Sequence, residues 1–90
     1  MSFNAYNHKN IASATTTVVK SGAGVLHSVV VNTTAAAAIT IYDNTSAAGT
    51  KIATIAASPA IGSTFMYDVA FTTGLTIVTA GASDLTVSYN

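Results

Sequence analysis

Apolar and polar residues alternate with period two through most of this chain, the side-chain repeat of a strand with one buried face. In Val25-Leu26-His27-Ser28-Val29-Val30-Val31-Asn32 the odd positions Val25, Val29 and Val31 share a face with His27. Ile39 and Ile41 point one way and Thr40 the other. Lys51 to Ala56 is mixed, with Ile52 and Ile55 on opposite faces. Phe65, Tyr67 and Val69 alternate with Met66, Asp68 and Ala70; Leu75 and Ile77 flank Thr76; Leu85, Val87 and Tyr89 alternate with Thr86 and Ser88. With the β-branched run Thr15 to Val19, the pattern predicts about seven strands.

The breaks between runs carry turn chemistry. They fall at Ser21–Gly24, Asp43–Gly49, Ser58–Gly62, Thr72–Gly74 and Ala80–Ser83. Pro59 cannot donate a sheet hydrogen bond and belongs in a loop. Ala35 to Ala38, beside Thr33, Thr34 and Ile39, is too short to nucleate a helix and predicts a bend or a strand entry, with small side chains where two layers approach closely. Short strands with frequent turns predict an all-β, single-domain antiparallel β-sandwich, the jelly roll being one form it can take. The sandwich spans residues 12–90. Residues 1–11 lack clean alternation and predict either an N-terminal arm or an irregular first strand. Phe3 and Tyr6 lie there among polar residues and are the candidate partner-binding side chains, as aromatic anchors on a neighbour.

Composition sharpens the picture. A chain of 90 residues forms one domain, and so short a domain buries only about 60–65% of its unfolded surface. Small domains add stability through disulfides, a metal or oligomerisation. There is no cysteine, and no H-x-x-x-H or calcium-loop pattern, so oligomerisation is the expected route. Charged residues make up 7% of the chain, namely Lys9, Lys20, Lys51, Asp43, Asp68 and Asp84, with net charge zero. An ordinary domain has about 25%, so electrostatic repulsion between copies is weak. Three lysines do not make a nucleic-acid footprint. Ser21 to Tyr42 is uncharged, yet it alternates and holds Gly22, Gly24, His27 and Asn32, which excludes a spanning helix. The opening MSFNAYNHKN lacks the basic and then apolar regions of a secretory signal.

Candidate chemistry is sparse. His8 and His27 are the only imidazoles, and His27 reads as a partly buried, hydrogen-bonded side chain. Asp43 and Asp84 sit at turns, and Asp68 lies mid-strand facing solvent or a partner. No nucleophile-elbow pattern is present. The reading is a non-enzyme with no catalytic residue, no cofactor and no metal. Asn32-Thr33-Thr34 and Asn44-Thr45-Ser46 match the glycosylation pattern as chance does in a Ser/Thr-rich chain. A row of tyrosines could form a sugar platform, but Trp is absent and packing is the better reading.

Ile39-Thr40-Ile41-Tyr42-Asp43-Asn44-Thr45-Ser46-Ala47-Ala48-Gly49-Thr50-Lys51-Ile52 resembles a hairpin of small tailed-bacteriophage virion proteins. The ending Phe71-Thr72-Thr73-Gly74-Leu75-Thr76-Ile77-Val78-Thr79-Ala80-Gly81, then Asp84-Leu85-Thr86-Val87-Ser88-Tyr89, is similar to their close. The resemblance covers roughly residues 15–90 and rests on strand-and-turn motifs. It implies a capsid decoration or cement protein on the outer surface of a phage head, made in the host cytoplasm. Its implied partners are copies of itself, with a trimer favoured, and the major capsid protein, with neither nucleic acid nor membrane. The alternatives are a tail, neck or fibre subunit, or a carbohydrate-binding module for host attachment.

Overall fold

The computed structural model describes residues 6–90. Eight strands follow one another: β1 (Asn7–Ile11), β2 (Thr15–Ser21), β3 (Gly24–Thr33), β4 (Ile39–Asp43), β5 (Thr50–Ile55), β6 (Thr64–Phe71), β7 (Gly74–Thr79) and β8 (Asp84–Tyr89). They form two four-stranded sheets, sheet I in the order β1-β8-β3-β6 and sheet II in the order β2-β7-β4-β5. β1 pairs with β8, β2 with β7, β3 with β6 and β4 with β5, all antiparallel. That is the pairing of one long hairpin, closed at the β4–β5 loop and folded over on itself. β3–β8 and β4–β7 contacts complete the sheets. The result is a jelly-roll sandwich.

The seven alternating runs become β2 to β8. The eighth strand is β1, whose exposed Asn, His and Lys side chains hide it from a reading based on apolar alternation. Only Ile11 at its end is buried. Inward residues of the two sheets interdigitate to make the core. Sheet I supplies Leu26, Val29, Val31, Phe71, Leu85 and Val87, and sheet II supplies Ile39, Ile41, Ile55, Leu75 and Ile77.

Two register shifts alter the expected faces. Leu26 pairs with Tyr89 and Ser28 with Ser88, so His27 is an extra residue on the β8 side. On the other side β6 takes three steps, Val69 to Met66, where β3 takes two. A bulge of this kind flips the phase of the strand. Leu26, Val29 and Val31 therefore face the core, and His27 leaves the face that strict alternation shared among Val25, Val29 and Val31. Likewise Ile41 pairs with Ala53 and Tyr42 with Lys51, which makes Ile52 the extra residue of β5. Ile52 packs against the same core that holds Ile55, contrary to the opposite faces expected.

Ala35 to Ala38 form a bend rather than a helix. A Cβ on Gly81 would meet the Cβ atoms of Ala37 and Ala35 at 2.9 and 3.0 Å. Small side chains are needed where the β3–β4 connection passes the β7–β8 turn.

Candidate functional site

Polar side chains gather in three places, each set by strand register. The first is the bulge of sheet I. Because His27 is pushed out of the ladder, its ring meets Asp68 on the neighbouring edge strand, with Nδ1 2.5 Å from Oδ1. Asp68 adopts φ = 50°, a left-handed conformation that non-glycine residues enter at a cost and that Asp tolerates better than most. With the carboxylate ionised, Nδ1 carries a proton and donates it to Asp68. The Tyr6 ring lies parallel on the imidazole, centroids 4.1 Å apart and planes 4° from coplanar. Tyr6 is 45% exposed. Phe3, the other candidate anchor, lies outside the described residues.

The second group is at the other end of the same sheet. Asn10 on β1 donates through Nδ2 to Asp84 Oδ1 (2.6 Å) and to the Leu85 carbonyl (2.8 Å). Asn32 on β3 donates to the same Asp84 oxygen (3.1 Å) and to Thr86 Oγ1 (3.0 Å). The amides of Asn32, first, and Asn10 hold the Asp84 carboxyl below its usual range. Three strands are thereby tied across β8.

The third group joins the two motifs on which the sequence resemblance rests. Asp43, at the end of β4, accepts the backbone N–H groups of Thr72 (3.0 Å) and Thr73 (2.9 Å), and more distantly that of Gly74 (3.4 Å). It also accepts the Thr72 hydroxyl. Asp43 reads from sequence as a turn opener for its own loop. In the structure it caps the β6–β7 turn, 30 residues away in the case of Thr73. These donors, the Thr73 N–H foremost, hold its carboxyl below the usual range. Beside it, the Thr76 hydroxyl donates to the Asn44 carbonyl at 2.7 Å, which lets a threonine be fully buried between Leu75 and Ile77. Gly74 has no room for a side chain, since a Cβ would lie 2.8 Å from Thr45 Cγ2, 2.9 Å from the Lys20 carbonyl and 3.0 Å from that of Asn44.

The tyrosines are distributed among several surfaces. Tyr67 and Tyr89 pack against the core, Tyr6 lies over sheet I, and Tyr42 points outward from sheet II. Among the described residues there is no pocket, and no three His, Asp or Glu side chains converge as metal donors. Among the described residues no helix is long and apolar enough to cross a membrane. His27, Asp68 and Tyr6 are brought together by register, and alternation alone could not reveal this because the bulge is invisible to it. The turn-capping role of Asp43 had no local signal. Comparison with protein-family models, with curated proteins and with solved structures finds no match for this chain.

Proposed function

We propose that the chain is a structural protein of a virion, a capsid decoration or cement subunit that packs with copies of itself and binds the outside of a phage head. The observation that carries this reading is the use to which its carboxylates are put. Asp43 caps a turn, Asp84 ties three strands and Asp68 holds His27 at a bulge. The polar chemistry maintains a scaffold, and the exposed surface is otherwise rich in threonine, serine and alanine, with Tyr6, Val18, Ile61 and Met66 as exposed large apolar side chains available to a neighbour.

Further support comes from the resemblance. Its two motifs form one corner of the molecule, with Asp43 of the hairpin bound to Thr72 and Thr73 of the ending. The same residues would serve a tail, neck or fibre subunit. The scattering of the tyrosines over both outer faces and the core weighs against a sugar platform.

The test is to add the purified protein to phage heads stripped of their surface proteins and image them by electron microscopy. Regularly placed density on the outer shell is the expected result. Protein that fails to co-sediment with heads but is found on tails or fibres would replace the head reading. Absence from the particle, with retention on a glycan array, would replace the virion reading itself.

A further inference from the structure

We propose that the outer face of sheet II is the surface on which a second copy of this chain packs. The inference rests on the reading of the chain as a self-assembling virion subunit, and it names the face involved. Strand edges are the first surfaces to consider, because a free edge offers unpaired N–H and C=O groups to another chain. Here each of the four free edges carries one charge: Lys9 on β1, Lys20 on β2, Lys51 on β5 and Asp68 on β6. β2, β5 and β6 also carry a register shift, and β1 is only five residues long. Charges, bulges and short strands are the devices that block edge-to-edge addition.

Two broad faces remain. The outer face of sheet I presents the apolar side chains of Tyr6 and Met66, but it also carries Asp68, Asp84 and the ring of His27, so two copies placed face to face would bring like carboxylates together and strip them of water. The outer face of sheet II presents Thr16, Val18, Thr40, Tyr42, Thr54 and Val78, with Lys51 at its rim and no acid. Val18 is 49% exposed, an apolar side chain at the edge of a neutral field. Charge depletion with a polar rim is the usual anatomy of an interface core. The domain is a slab of 40 × 31 × 17 Å, so a broad side is of a size to supply the ~800 Å² per partner of an ordinary stable interface.

The test is light scattering after gel filtration at tens of micromolar protein, on wild type and on Val78→Lys, Thr40→Lys and Met66→Lys. The first two put a charge on the outer face of sheet II; Met66→Lys puts one on exposed sheet I. Circular dichroism checks the fold of each, and Thr16→Lys, nearer the edge, stands in for any variant that does not fold. An oligomeric wild type is expected, with sheet II variants weakened at least ~100-fold in self-association, the scale of an unpaired buried charge. Met66→Lys should associate as wild type does. A monomeric wild type overturns the proposal, as does dissociation by Met66→Lys with the sheet II variants unaffected. Binding to stripped heads is scored separately. A monomer that still binds heads sinks the face and leaves the virion reading standing. An oligomer split by Val78→Lys that never binds heads does the reverse.

Discussion

Asp43 shows how one carboxylate can hold two distant turns together. Its folded-state pKa is depressed by the N–H groups of Thr73 and Thr72, so its contribution to stability is complete above the ordinary carboxylate value of 3.8 and is lost as pH falls through the lower folded value. Asp43→Ala should therefore lower the thermal midpoint at neutral pH, and the gap from wild type should close as pH drops below about 4. Midpoints measured from pH 7 down to pH 2 check this; a gap that stays constant would mean the carboxylate is not the relevant group. Gly74 lies against the same corner. In Gly74→Ala the new methyl meets two backbone carbonyls, those of Lys20 and Asn44, and neither can swing aside as a side-chain tip can. Overpacking of this kind costs about 1–3 kcal/mol, readable as a shift of the denaturant midpoint. No sequence signal announced either role, because both come from contacts between segments 29 or more residues apart.

Among the elements, β1 combines the most exposed side chains with the most specific fastening. It pairs residue for residue with β8 from Asn7 to Ile11. Asn10 pins one end to Asp84, and the Tyr6–His27 stack covers the other. Deleting residues 1–10 should leave a folded but less stable β domain in which the edge of β8 is uncovered. Faster amide exchange in β8 and concentration-dependent association are the expected signs. Tyr6→Ala leaves the pairing of β1 intact and so separates anchoring from folding. If the exposed Tyr6 anchors a capsid subunit, attachment to heads should weaken about thirtyfold, the scale of a truncated aromatic anchor. Unchanged attachment would confine Tyr6 to covering His27. Strands β2 to β8 were legible in the sequence because each puts β-branched or aromatic residues on one face. β1 was legible only as one of two readings, an irregular first strand or an arm, because an edge strand with one buried side chain has little apolar pattern to show. The bulges at His27 and Ile52 were hidden for a related reason: alternation gives the period of a strand but not the point at which its phase slips.

For the whole molecule, six charges are divided between two tasks. Asp43 and Asp84 hold the fold from inside hydrogen-bond networks, and the other four stand one on each free edge. The net charge is zero, so long-range repulsion contributes little to keeping copies apart. Position must then matter more than total charge. Replacing Lys20 and Lys51 together by Val opens both edges of sheet II while improving β-propensity. Edge-to-edge aggregation should follow, seen as rising turbidity and fibre-like strand signal in infrared spectra at concentrations where wild type stays clear. Replacing the same two lysines by Glu also removes two positive charges but keeps a charge on each edge, and that variant should stay clear. If the Glu and Val variants aggregate alike, loss of the lysines themselves is at fault; if neither does, the bulges alone suffice to guard the edges of sheet II.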